Sequence, residues 1–257
     1  PAMETGPHCD TPFACCFYAH CSQNEPKAQH PVHWLPYFGT KARELATKGV
    51  IELTDVPDDL LNPRQLRVKT HTLADTVFFD AEGAAADLAM HGLPACFLDF
   101  ETIQFAVPIW AGTRPYQQNC FQFSLHTLSE LGQLGHTEFL DLSGGDPAES
   151  FAQALIASCG CSGPVYVYNA AFEASRIREL AIRYPGLRDS LLAINARMVD
   201  LLPIARERYY HTSQQGSWSI KKVLPAVVPE LRYDALDGVQ DGGMAMEAFL
   251  EAIHPST

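Results

Sequence analysis

The chain has 257 residues, a formal net charge of −12 and a hydrophobic content of 47%. That apolar fraction suffices for a globular core, and no uninterrupted apolar stretch approaches the ~20 residues of a membrane span, so a soluble protein with no membrane partner is expected. The acidity argues against a protein that coats nucleic acid through overall charge, because phosphate affinity comes mainly from Lys and Arg. It leaves room for a site whose acidic groups are offset by bound cations. No charged segment followed by an apolar one opens the sequence, so a cytoplasmic location with reduced or metal-bound thiols is expected.

Cys9, Cys15, Cys16 and Cys21, half of the 8 cysteines, fall within residues 9–21, with His8 and His20 adjacent. Thiolates this close can surround a soft metal or an iron–sulfur cluster, and the alternative is a set of reduced or disulfide-paired thiols in a loose terminus. Neighbouring Cys15 and Cys16 crowd one ion, which leaves Cys9, Cys15 and Cys21 as a partial iron–sulfur or zinc site with a fourth ligand expected upstream. Residues 1–21 then read as the remnant of an upstream domain. Residues 22–34 are a polar linker rich in Pro and His. A helix is expected over 37–47, a short β-like run over 50–53 and a second helix over 63–72, so that 22–93 forms a helical appendage. Two helices about a Gly-containing turn resemble hairpins that grip a DNA backbone, although packing accounts for them equally well.

Ala95-Cys96-Phe97-Leu98-Asp99-Phe100-Glu101 is an apolar strand carrying two acids at positions i and i+2. Phe97, Asp99 and Glu101 therefore share one face and Leu98 and Phe100 the other, placing the carboxylates at the edge of an otherwise buried sheet. A hard divalent cation, Mg²⁺ or Mn²⁺, is the natural partner for such a pair, because it binds carboxylate oxygen and offsets their repulsion. Val77-Phe78-Phe79-Asp80-Ala81-Glu82 repeats the pattern, but Asp80 runs straight into an Ala-rich segment over 82–90 and reads as a helix N-cap with Glu82 in the first turn. After Glu101, apolar Ile103, Phe105 and Val107 alternate up to Pro108, which predicts that the strand continues. Strands over 120–128 and 137–142 complete a meander.

Val165-Tyr166-Val167-Tyr168 is a buried strand leading through Asn169-Ala170-Ala171-Phe172-Glu173 into a helix that runs to about Arg183. Asn169 and Glu173 share a helical face; a capping Asn and a solvated Glu are the plain alternatives. Asp200 ends a fifth short strand and is expected to be structural. Asp241 opens the last helix, either as an N-cap or as a ligand, followed by small residues where another backbone would approach. Cys96, Cys120, Cys159 and Cys161 read as ordinary core or loop cysteines, with Cys159-Gly160-Cys161 a weak extra metal candidate.

In this order the motifs resemble the DEDD superfamily of 3′-to-5′ exonucleases. Leu98-Asp99-Phe100-Glu101-Thr102 is similar to their first motif, Tyr168-Asn169-Ala170-Ala171-Phe172-Glu173 to their second, and Asp241 through Leu250 to their last helix. Gly216-Ser217-Trp218-Ser219-Ile220-Lys221-Lys222-Val223-Leu224-Pro225, with the Gly-Pro-His-Cys opening, resembles a bacterial domain of unknown function, DUF2779, in which a RecB-like iron–sulfur nuclease would precede this segment. The resemblance implies an α/β, ribonuclease H-like mixed five-stranded sheet flanked by helices over 94–257. It also implies a nuclease that uses Mg²⁺ or Mn²⁺ to hydrolyse phosphodiesters of single-stranded DNA or RNA, with a 4Fe–4S cluster in the longer protein and its upstream nuclease domain as partner.

Asp99, Glu101, Glu173 and Asp241 would be the catalytic carboxylates and metal ligands, with two ions ~3.5–4 Å apart. Asn169, Arg176, Trp218, Lys221 and Lys222 are the candidate nucleic-acid contacts, Trp218 through base stacking. Two features depart from the family pattern. Glu173 stands where the exonucleases have Asp, which extends the carboxylate by about 1.5 Å. Leu236 and Asp237 stand where a His or Tyr would activate water, with Tyr233 and His211 as substitutes. The competing expectation is a non-catalytic nucleic-acid-binding module with a degenerate site.

Overall fold

The computed structural model describes residues 5–9, 15–23, 25, 27–160, 162–232, 238–239 and 241–254. The chain divides into two compact units, Pro1–Thr76 and Val77–Thr257. No helix among the described residues is long and apolar enough to cross a membrane.

The first unit contains helices α1 (Tyr18–Cys21), α2 (Gly39–Ala46) and α3 (Pro63–Ala74) joined by short 3₁₀ turns. Its core is built from Val32, Leu35, Phe38, Leu53, Val56 and Val68, all buried. The start of α3 is fixed by a reciprocal cap: Gln65 N donates to Asn62 Oδ1 and Asn62 N to Gln65 Oε1, both at 3.0 Å, with Pro63 in the first helical turn. Such caps satisfy donors that the helix leaves unpaired. The β-like run at 50–53 forms no strand. It contributes one isolated bridge, Pro31 to Glu52, before a 3₁₀ turn at Leu53–Asp55.

The second unit is an α/β domain. Its strands are β1 (Phe78–Phe79), β2 (Ala95–Ile103), β3 (Asn119–Leu128), β4 (Leu134–Leu140), β5 (Val165–Val167), β6 (Met198–Asp200) and β7 (Tyr209–Tyr210). Its helices are α4 (Ala81–Ala89), α5 (Ala148–Cys159), α6 (Ala171–Arg183), α7 (Arg188–Ala196), α8 (Leu201–Arg208), α9 (Ile220–Val227) and α10 (Gly242–Ile253). The main sheet has five strands in the order β4-β3-β2-β5-β6. β2 pairs antiparallel with β3, and β3 with β4, whereas β5 runs parallel to both β2 and β6. The expected mixed five-stranded sheet is thus present, and β1 pairs with β7 in a separate ribbon.

The alternation of β2 decides which face is packed. Leu98 and Phe100 join Phe123, Leu125, Val165 and Val167 against Phe151 and Leu155 of α5, Ile177 and Leu180 of α6, and Leu191 and Ile194 of α7. Phe97 and Asp99, pointing the other way, are exposed. The acids do not lie at a sheet edge as the apolar run suggested: β2 is the central strand, with Asp99 exposed and Glu101 half-buried. The strand also stops earlier than the alternation through Val107 implied. The register shifts at Glu101/Thr102 and pairing ends at Ile103, after which Phe105 folds edge-on to Trp110 at 5.3 Å and Val107 is 77% exposed.

One polar device and one glycine set the starts of the central strands. The Arg197 guanidinium donates to the carbonyls of Ser162 (2.6 Å), Gly163 (2.8 Å), Gly160 (2.9 Å) and Cys159 (3.3 Å), tying the start of β6 to the loop before β5. Gly163 has φ +76°, and a Cβ there would lie 1.8 Å from the Pro94 carbonyl oxygen, so only glycine lets the two backbones approach where β2 and β5 begin.

Candidate functional site

Asp99 and Glu101 are set on β2 two residues apart, opposite Ser124 and Gln122 of β3. The register between β2 and β3 shifts directly after Glu101. Glu173 comes from the first turn of α6. The sequence allowed a solvated helical acid here, but Glu173 is only 3% exposed and its Oε2 has no hydrogen-bond partner. A buried carboxylate oxygen left unpaired is costly unless it is protonated or meets a cation.

The position of Glu173 depends on Asp200. One Asp200 oxygen accepts from Asn169 N (2.9 Å) and Leu202 N (2.9 Å), and the other from Ala170 N (3.1 Å). The carboxylate therefore caps α8 and pins the turn from β5 into α6, where Asn169 takes φ 72°. The structural role expected of Asp200 is observed. Asn169 is exposed, and the helix begins after Ala170 without a side-chain cap, so Asn169 neither caps α6 nor satisfies the open oxygen of Glu173.

Asp241 is the N-cap of α10, its Oδ1 accepting from Met244 N at 2.9 Å. α10 is docked by Phe249 and Ile253 against Ile103, Trp110 and Phe121, with the Phe249 and Phe121 rings stacked 4.1 Å apart. This brings Gly242 beside Glu101: a Cβ at Gly242 would sit 3.4 Å from Glu101 Oε2. The group approaching the small residues is thus a carboxylate, not a backbone, and it sits at a helix N-terminus, where the dipole favours negative charge.

The electrostatics link these residues in pairs. Desolvation pushes the Glu173 carboxyl up to about 7, and the negative charges of Asp99 and Asp200 push in the same direction. Asp99 is raised by desolvation, because the surrounding protein displaces water even though the side chain is exposed. Glu101 is raised by desolvation and by repulsion from Asp99 and Asp241, against attraction from Lys221. Asp241 is lowered, chiefly by the Met244 N–H and in smaller part by Lys221. Asp99 thus acts on both Glu101 and Glu173, and Asp241 and Lys221 act on Glu101. Among the described residues, however, no three His, Cys, Asp or Glu side chains are grouped so as to hold a metal ion.

Other predicted contacts lie elsewhere. Trp218 is 5% exposed, donates from Nε1 to Tyr209 O at 2.8 Å and packs on Tyr210. It presents no face to a base, because the 218–219 backbone is drawn inward, Tyr168 Oη donating to Trp218 O at 2.7 Å. Arg176 is engaged inside the unit, bonded to Gln118 and Glu179 and set over the Phe172 ring. Lys222 donates to Gln215 Oε1 at 3.0 Å. His211 Nδ1 accepts from Ser213 N at 3.1 Å and caps a 3₁₀ turn, and Tyr233, with Leu236 and Asp237, lies outside the described residues.

Asp80, the rival Asp-x-Glu position, is the N-cap of α4, accepts from Gly83 N at 2.9 Å and pairs with Arg208 at 2.6 Å. Its structural reading holds. Cys9, Cys15, Cys16 and Cys21 are free thiols, and Cys15 N donates to Cys9 O at 2.7 Å, whereas residues 10–14 between them, and Cys161, lie outside the described residues. Sequence reasoning placed Asp200 as structural and Lys221 as a nucleic-acid contact, but did not show that Asp200 holds the Glu173 turn or that Lys221 acts on Glu101. The signal for Lys221 was the Ser-Ile-Lys-Lys run at the start of a helix; nothing local linked it to the acids.

Residues 96–219 match the family described as Domain of unknown function (DUF2779). The matched segment carries Asp99, Glu101, Asn169, Glu173, Asp200 and Trp218, while Lys221 and Asp241 follow it. No curated protein and no solved structure matched the chain.

Proposed function

We propose that the second unit is a ribonuclease H-like, DEDD-type nuclease that uses Mg²⁺ or Mn²⁺ to hydrolyse phosphodiesters at single-stranded ends of DNA or RNA. The observation that carries this reading is the Glu173 carboxylate, 3% exposed with Oε2 unpartnered and facing the negative field of Asp99. A donor set made only of carboxylate oxygen suits a hard divalent cation. The strand order, with three antiparallel strands followed by two parallel ones, is compatible with the fold the resemblance implies.

Asp99 and Glu173 would hold the cation. When bound, such an ion polarises a phosphoryl oxygen and lowers the pKa of coordinated water. The chain supplies the rest. β2 fixes Asp99 on a central strand, Asp200 fixes the turn that presents Glu173, and Lys221 partly opposes the desolvation and repulsion that raise the Glu101 carboxyl beside the start of α10. Positioned charge is the larger part of what such sites contribute.

A second reading, a non-catalytic nucleic-acid-binding module, is favoured by the lack of three grouped donors among the described residues and by Asp241 serving as a helix cap. Incubation of end-labelled single-stranded DNA and RNA with the full chain in MnCl₂ separates the two. The nuclease reading expects products that vanish in Asp99→Asn and Glu173→Gln, while the module reading expects a gel shift and intact strands.

A further inference from the structure

Phe97 lies two residues before Asp99 on β2, so the two side chains leave the strand on the same side. The Cα partners of Phe97 are His126 on β3 and Tyr166 on β5, and His126 is in turn the partner of His136 on β4. Directly opposed residues share a face of the sheet, so His136, His126, Phe97 and Tyr166 form one row of rings across four adjacent strands. Two stacks hold the row, His126 on His136 with centroids 4.4 Å apart and Phe97 on Tyr166 at 5.2 Å. Ser124 Oγ lies 3.0 Å from His136 Nε2, and the His91 ring meets Tyr166 edge-on at 6.1 Å. Tyr166 is 8% exposed and serves as the support, whereas Phe97 is 37% exposed and both histidines are exposed.

Cross-strand rings that only stabilise a sheet do so by packing against one another. Here three of the four rings stay in contact with water although each is already held by a neighbour. Such a surface has little side-chain freedom left to lose when a flat ligand settles on it. The next row of the sheet contains Asp99, with Ser124 and Glu138 as its successive partners. The rings therefore stand one row from a candidate carboxylate, about 7 Å along the strand.

We infer that the row of Phe97, His126 and His136 is a stacking platform for unpaired nucleobases, which seats a base beside the phosphodiester presented to Asp99. The inference rests on the nuclease reading for the identity of its ligand and deepens it by naming the substrate class. That substrate is a single strand that carries bases and is taken with little sequence preference, since every base has a π face. The platform takes the part that the sequence assigned to Trp218, which is spent in the core.

The test is fluorescence anisotropy of the full chain, in chelator so that nothing is cleaved, with a 5′-fluorescein-labelled oligothymidine and with an abasic strand of the same length. The wild type is expected to bind the base-bearing strand the more tightly. Phe97→Leu is expected to lose roughly 5- to 150-fold of that affinity, the range for one stacked base, with binding of the abasic strand unchanged. Phe97→Trp, which keeps a ring face, is expected to retain the affinity, and His126→Ala to lose part of it. Urea unfolding establishes that each variant is folded. Equal affinity of the wild type for the two strands, or an undiminished affinity in Phe97→Leu, overturns the inference. So does an equal loss on both strands, which would give Phe97 a packing role. These results leave the nuclease reading standing, because that reading fails only if the wild type releases no nucleotide in MnCl₂. Base-dependent binding that is lost in Phe97→Leu, in a chain that cleaves nothing, supports the platform and overturns the nuclease.

Discussion

Replacing Glu173 by Gln isolates the energetic cost of its burial. The folded protein raises this carboxyl from 4.5 to about 7, mainly by desolvation and then by the charge of Asp99. Below about pH 4.5 the group is protonated in both folded and unfolded chains. Between the two values the folded state holds the proton more tightly, so stability falls as pH rises and is lowest above pH 7. A shift of this size corresponds to roughly 3 kcal/mol. Glu173→Gln keeps the shape of the protonated acid but cannot ionise. In chelator, the variant should match the wild type in urea unfolding near the acid end and exceed it by about 3 kcal/mol near pH 8. Adding MnCl₂ near pH 8 should stabilise the wild type and leave Glu173→Gln unchanged, since binding to the folded state alone is stabilising. An equal stability offset at both pH values would refute the argument, because it would assign Glu173 a packing role and no buried charge.

Asp200→Ala leaves the backbone N–H groups of Asn169, Ala170 and Leu202 without their acceptor. A loss of about 2–4 kcal/mol in urea unfolding is expected, with weaker Mn²⁺ binding because the Glu173 turn loosens. Trp218→Ala removes a side chain that is 5% exposed and bonded to Tyr209 O, so it should cost about 3–5 kcal/mol; an affinity loss for single strands without loss of stability would contradict its place in the core. Burial pushes the Cys159 thiol up to about 12 and also raises Cys96, whereas Cys16 is exposed. Mass-spectrometric mapping of thiol labelling in native protein should therefore find Cys16 modified first and Cys96 and Cys159 only on unfolding.

The sheet and the placement of its acids were readable where the chemistry is local. Period-two alternation over Ala95–Glu101 separates a packed face from an acidic one, and the helix boundary at Arg183 follows from an uninterrupted apolar stripe. Asp80 and Asp99 could be told apart because one is followed by an Ala-rich helix and the other by more strand. The failures share one cause, long-range approach. Alternation beyond Ile103 could not reveal that pairing stops after a register shift, since the partner strand decides it. For Glu173 the sequence left a solvated helical acid open beside the ligand reading, because its burial is set by the sheet and by the turn that Asp200 holds. Trp218 looked available because its hydrogen bond runs to Tyr209 and its neighbour's carbonyl is held by Tyr168. Lys221 joins the acids only once α9 and α10 have packed, and no local spacing encodes that.

The central claim is that Asp99 and Glu173 together make a cation-dependent phosphodiesterase. The most direct measurement is the rate of nucleotide release from a 3′-end-labelled single strand by the full chain in MnCl₂, with the wild type beside Asp99→Asn. The account predicts release that requires the cation and falls at least ~100-fold in the variant, since the ion's site is built on that carboxylate. Release that is independent of the cation, release equal in Asp99→Asn, or none from a wild type shown to bind Mn²⁺ would contradict it.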